Sequence, residues 1–201
     1  MKVVLIHYRL LKFGGLEKRL HNYITAFQKD GHEVTLLTAY VKPGYTPPKD
    51  LNLVLLKPGL HLKPFRQWFF GQKVLRWLKQ NPCDFSLSLG RTPGADLTLC
   101  PGNHLGYLAA HGKKPSSISD FMQIKADKFA FKHTKGILAA SPQIKQELEL
   151  HYQVPSAKIR VLAPPISTKE LQKTNTHAKS YWRSKLGLDP ELLYFIFIST
   201  G

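Results

Sequence analysis

Lys12-Phe-Gly14-Gly15-Leu-Glu17 sets two glycines directly before a run with helical spacing. Glycine lets backbone N–H groups approach an anion, and a helix N-terminus favours negative charge there. The segment lacks the GxGxxG dinucleotide fingerprint, and a plain structural turn is the alternative. Gly90-Arg91-Thr-Pro93-Gly94 and Pro101-Gly-Asn103-His104 each follow a short apolar run. Arg91 suits a phosphate or a sugar hydroxyl. His104 offers an acid, a base or a hydrogen-bond donor, or is an ordinary surface histidine. Residues 61–80 carry Lys63, Arg66, Lys73, Arg76 and Lys79 among Trp68, Trp77 and three phenylalanines, with no acid between Asp50 and Asp84. A basic face beside Trp and Phe is the composition of an interfacial helix on anionic lipid. The alternative is a sheet-packing helix with a solvated basic side. No Walker A, HExxH, GxSxG or DxD motif occurs, and the nine histidines lack ligand spacing, so no metal is expected.

Alternating elements must position these segments. Residues 2–6 read as a buried strand, and Leu16, Leu20, Tyr23, Ile24 and Phe27 recur at helical spacing until Gly31. Residues 32–38 form the next expected strand, which completes a right-handed βαβ unit. Further strands are expected at 51–56, 85–89, 97–100, 136–140 and 159–162, with helices at 65–80, 121–133 and 142–151. Such alternation predicts an α/β, doubly wound parallel sheet. The Gly-Gly, Arg91 and His104 segments then share one sheet edge.

Composition sets the limits. Lys and Arg number 29 against 13 acids in 201 residues, a net charge of +16, which predicts an anionic partner. Nucleic acid rests on that charge alone, because no binding signature accompanies it. Cys83 and Cys100 read as buried free thiols in a reducing cytosol, although the sequence alone also permits a disulfide between them. The N-terminal apolar run is too short for a signal peptide, and no run approaches a membrane span. Pro164-Pro165 breaks the alternation, residues 167–180 read as a polar linker or solvated helix, and 193–198 (LYFIFI) as a new strand. Residues 1–166 are therefore expected to form one domain. Residues 167–201 are expected to hold a linker and the truncated start of a second.

The run from Gly14 to Thr38 (GGLEKRLHNYITAFQKDGHEVTLLT) resembles the opening of family 4 (group 1) glycosyltransferases of GT-B fold. Ile137-Leu-Ala-Ala-Ser141, Tyr152-Gln-Val-Pro155 and Lys158-Ile-Arg-Val-Leu-Ala-Pro-Pro165 resemble the end of that family's N-terminal domain, where a Ser follows a strand. Phe13-Gly-Gly-Leu16, Pro93-Gly94-x-Asp96, His151-Tyr152 and Pro164-Pro165 look closest to the lipopolysaccharide core glucosyltransferases. That subgroup has an acidic residue where this chain has Pro101-Gly-Asn-His104, and other family members have a His in that region. The resemblance implies a Rossmann-like, acceptor-binding half of a retaining, metal-free enzyme. Its substrates would be a nucleotide-sugar donor, such as a UDP-sugar, and a glycolipid acceptor. It would be inactive alone and would lie peripherally on the cytoplasmic face of the inner membrane. It makes Gly14 and Gly15 neighbours of the donor phosphates, His104 the catalytic candidate, and Arg91, Asn103 and Ser141 substrate-binding candidates. Lys63, Arg66, Trp68, Lys73, Arg76 and Trp77 would meet the membrane. A non-catalytic basic α/β module on anionic membrane or nucleic acid is the competing reading.

Overall fold

Val3, Val4, Leu5 and Ile6 are all buried in β1 (Lys2–Ile6), because layers cover both faces of this strand. The computed structural model describes residues 1–11, 14–59, 62–165 and 178–195. They fall into two units, Met1–Ala163 and Pro164–Gly201. In the first, β1 is followed by the short β2 (Arg9–Leu10), α1 (Gly15–Lys29), β3 (Glu33–Thr38), β4 (Tyr40–Val41) and β5 (Asn52–Leu55). Then come α2 (Lys63–Gln80), β6 (Phe85–Ser88), β7 (Leu97–Cys100), α3 (His104–Ala110) and α4 (Ile118–Lys132). The unit closes with β8 (Gly136–Ala139), α5 (Pro142–Tyr152) and β9 (Ile159–Val161).

Seven strands form one parallel sheet in the order β5-β3-β1-β6-β7-β8-β9, and β2 pairs with β4 in a separate ribbon. Val3 and Leu5 pack under α1 with Leu20 and Ile24, while Val4 and Ile6 meet Phe70 and Val74 of α2 on the other face. The chain winds outward from β1 to β5, then crosses back through α2 to β6. The strand order therefore reverses between β1 and β6, which opens a crevice outside their carboxyl ends. The fold is the expected α/β doubly wound sheet.

Some local expectations are corrected. The loop after β7 runs directly into α3, which the sequence reading placed in no element. Trp77 is half-buried against the core cluster around Phe70, and the half-buried Trp68 meets Phe129 in a tilted ring contact at 4.8 Å between centroids. In the second unit, α6 (Lys179–Lys185) ends before Gly187, and Arg183 donates to the carbonyls of Asp189, Pro190 and Leu192. Most of the expected linker lies outside the described residues. So does the second half of the expected strand at 193–198, and its described part, 193–195, is not a strand.

Candidate functional site

The crevice holds two adjoining cavities of about 540 and 650 Å³, and His7, Tyr8, Gln67, Arg91 and Gln123 line both. Strand ends deliver these groups. His7 prolongs β1, its N–H donating to Leu37 O at 3.0 Å, and Arg91 follows β6. Gly71 of α2 meets Pro93 so closely that a Cβ would stand 2.9 Å from its ring, which presses α2 against the loop carrying Arg91.

Asp127, fully buried on α4, ties this region together. Its Oδ1 lies 3.1 Å from Arg91 Nη1, while Oδ2 accepts the His104 N–H at 2.9 Å and the Tyr152 O–H at 2.7 Å. Burial pushes the Asp127 carboxyl up in pKa, against the pull of Arg91 and the two donors. Arg91 also reaches Gln123 Oε1 at 3.4 Å. The expected anion reader is thus partly committed to an internal carboxylate, yet still lines both cavities.

The N-terminus of α3 is closed by its neighbours. His104 N–H goes to Asp127, Leu105 N–H to Tyr152 Oη at 3.0 Å, and Gly106 N–H to Asn103 Oδ1 at 2.6 Å. Asn103 Nδ2 donates to Glu147 of α5 at 2.6 Å, so both arms of this side chain are engaged in capping and helix docking. The His104 ring is held at Nε2, 2.9 Å from Asp120 Oδ1. Asp120 also completes the capping box of α4 with Ser117. The Ser117 hydroxyl, the N–H groups of Ser116 and Ser117, and His104 hold Asp120 far below the usual carboxylate range. An ionised Asp120 only accepts, so His104 Nε2 carries the proton and Nδ1 is the ring atom left to exchange one. Ser141 caps α5, accepting the Ile144 N–H at 3.2 Å.

At the opposite wall Gly14 is the N-cap of α1, with φ +156°. A Cβ there would stand 1.9 Å from Glu17 Oε2, so a carboxylate already rests against this glycine. Gly15 has open space around its would-be Cβ. Glu17 and His7 are 8% and 9% exposed, with His7 Nε2 3.5 Å from Glu17 Oε1 and without a hydrogen-bond partner among the described residues. Burial lowers the His7 pKa, and Glu17 opposes that shift.

The sequence reading did not single out His7, Glu17, Asp120 or Asp127 as site residues. Ser117-x-x-Asp120 was a legible capping-box signal, and Glu17 closes the Gly14-Gly15-Leu-Glu17 motif; His7 and Asp127 carry no motif. Cys83 is half-buried and Cys100 buried, both free, and burial pushes the Cys100 thiol up to about 12, away from nucleophilic use.

Among solved structures, WaaG, a glycosyltransferase involved in lipopolysaccharide biosynthesis, superposes with a TM-score of 0.76 at 20% identity, over 94% of this chain and 52% of that one. A sucrose-phosphate synthase from Thermosynechococcus elongatus gives 0.59 at 14% identity, over 94% and 53%. These likenesses concern the fold. A curated relative, a probable transglycosylase of Burkholderia thailandensis, is 30% identical over 119 residues, 59% of this chain and 31% of its own length. The chain thus spans about half or less of the proteins it resembles. The family model described as Glycosyltransferase Family 4 matches residues 13–170, most of the chain, and the protein belongs to that family.

Proposed function

We propose that this chain is the acceptor-binding part of a retaining glycosyltransferase. The enzyme would move a sugar from a nucleotide-sugar donor, such as a UDP-sugar, to a lipid-linked glycan such as lipopolysaccharide core, without a metal. The observation that carries this reading is the crevice at the strand-order reversal, where a family 4 chain gathers His7, Arg91 and His104 around one space. In this proposal His104, oriented by Asp120, hydrogen-bonds the reacting sugar through its remaining ring nitrogen. Arg91 orients hydroxyls, and Gly15 leaves room for the donor phosphates. The test is transfer of a labelled sugar from a nucleotide sugar to a lipid-linked acceptor by the full-length protein. His104→Ala should lower kcat/KM by about 100-fold or more while the fold persists. Unchanged transfer would remove His104 from the reaction.

We further propose attachment to an anionic membrane, at the inner face of the cytoplasmic membrane. Among the described residues no helix is long and apolar enough to cross one. Lys63, Arg66, Lys73, Arg76 and Lys79 of α2 are exposed. On α4, Lys125, Lys128 and Lys132 border a hollow with Trp68, Phe121 and Phe129. Each cation near such a surface contributes about 1 kcal/mol. Co-sedimentation should need anionic liposomes and weaken with salt; equal binding to neutral liposomes would overturn the attachment.

A further inference from the structure

His104, Tyr107 and His111 recur at i, i+3 and i+7, so α3 and its C-cap carry three aromatic rings down one side. A helical side chain leans toward the helix N-terminus, which lays Tyr107 over the turn that bears His104. These two rings are near-parallel, at 20°, with centroids 6.1 Å apart. The His111 ring stands 4.4 Å from Tyr107, and its Nδ1 lies 2.8 Å from Tyr107 O. A carbonyl only accepts, so that nitrogen carries the proton and the hydrogen bond fixes His111 as a brace.

The rings differ in burial. His104 is 8% exposed and Tyr107 53%, yet both line the cavity of about 650 Å³. On the same helix Leu108 is buried and Leu105 half-buried, so Tyr107 is the large side chain of α3 that stays open. Its hydroxyl makes no hydrogen bond among the described residues. The backbone beneath it is held firmly, because Asp127, Tyr152 and Asn103 take the first three amides of the helix. A tyrosine has only two side-chain torsions, and this one is already braced, so little freedom is lost when a ligand meets it.

An open aromatic face inside a polar cavity suits a ligand with an apolar face and a polar edge. A pyranose ring has that form. Its C–H bonds carry slight positive charge and match the negative face of an aromatic ring, while its hydroxyls lie around the rim. Gln67 and Gln123 line the same cavity and offer neutral donors and acceptors to such hydroxyls.

We infer that Tyr107 is a stacking platform for a sugar ring of the acceptor and seats that ring beside His104. The inference deepens the acceptor-binding reading above and rests on it. Tyr107 moves no proton in this account; it selects and holds the ring on which His104 acts. A nucleobase also has a face that stacks on tyrosine, and uridine is the probe for that second source.

The experiment compares the full-length protein with its Tyr107→Ala, Tyr107→Phe and Tyr107→Trp variants. Each is titrated with lipopolysaccharide core oligosaccharide freed of lipid, and separately with uridine, by calorimetry. Tyr107→Ala should raise the Kd for the oligosaccharide about tenfold, while Phe and Trp stay within about threefold of the parent. Uridine affinity should be the same in all four proteins. In transfer assays Tyr107→Ala should raise KM for the acceptor and leave KM for the nucleotide sugar unchanged. Urea midpoints should agree among the four, since the ring is exposed. An oligosaccharide Kd unchanged in Tyr107→Ala, no oligosaccharide binding by the parent, no rescue by Phe or Trp, or uridine binding that depends on Tyr107 would overturn the platform. The enzyme reading fails separately. Transfer with an unchanged acceptor KM in Tyr107→Ala removes the platform and leaves the transferase. Tyr107-dependent oligosaccharide binding by a protein that transfers no sugar leaves a glycan platform and removes the transferase.

Discussion

Two helices start at the carboxyl edge of the sheet, one on each side of the crevice, and they are finished in opposite ways. At α3 the first three amides are spent on Asp127, Tyr152 and Asn103, each from a different part of the chain. At α1 the cap is a bare glycine, the nearest carboxylate is Glu17, and His7 Nε2 lacks a hydrogen-bond partner among the described residues. Topology brings both helix starts to the same edge, so position alone does not separate ligand reader from scaffold. Hydrogen-bond accounting does, because buried polar groups are costly unless paired. The α3 side has its amides capped and presents the His104 ring, with Asp127 Oδ1 left to the Arg91 ion pair, and the α1 side has no side-chain cap.

The largest effect should come from breaking the finished side. Asp127→Ala leaves the Arg91 guanidinium without its carboxylate and the His104 N–H and Tyr152 O–H without their acceptor. A loss of about 2–5 kcal/mol is expected in urea unfolding, the scale for two buried donors left without an acceptor. A loss below about 1 kcal/mol would mean that α3 and Arg91 hold their places without it. On the unfinished side, Gly14→Ala sets a Cβ against the Glu17 carboxylate at a strained φ and should cost about 1–3 kcal/mol. Gly15→Ala meets open space and should be neutral or stabilising within about 1 kcal/mol. Equal losses at the two glycines would contradict this account of the α1 start.

The smallest effect concerns His7. Its folded pKa lies below the usual value of about 6.5 because burial disfavours the charged ring. Between those two pKa values the unfolded chain binds more protons. Stability should therefore fall as pH drops through about 6.5, by at most about 1.4 kcal/mol per unit for one proton. His7→Gln should remove that part of the slope in unfolding midpoints compared between about pH 7.5 and about pH 5. An unchanged slope would assign the pH dependence to other groups.

The contrast also explains what could be read in advance. The β1 run and the helix ending before Gly31 were legible because a strand covered on both faces is apolar throughout, and a half-covered helix keeps its 3.6-residue period. The seven residues of α3 are too few to show a period, and Gly106 weakens helical propensity. That helix depends on Asn103, Asp127 and Tyr152, and a Cβ at Gly106 would meet Glu147 at 2.0 Å. Asp127 sits between Lys125 and Lys128 in a run read only as a helix; its burial follows from partners 23 to 36 residues away. For α2 the helix was legible, but the neighbours of its tryptophans were not, because Trp77 borders the core and Trp68 meets α4 only once distant elements pack. Glu17 was visible as the acid of the Gly14-Gly15-Leu-Glu17 motif and His7 as a letter only, and their proximity needs the chain to turn back from β1 into α1.

Asp127 has a mechanical consequence. One carboxylate on α4 grips the start of α3 and the last residue of α5, with the Arg91 loop on its other oxygen. These segments are therefore geared: the His104 backbone cannot shift alone, while Asp120 separately holds its ring. Any opening of this wall must either carry the three helices together as a plate or break two hydrogen bonds and an ion pair at once. Small displacements of α5, which also grips the crevice-lining Asn103 through Glu147, are thereby passed to the start of α3 with little slack.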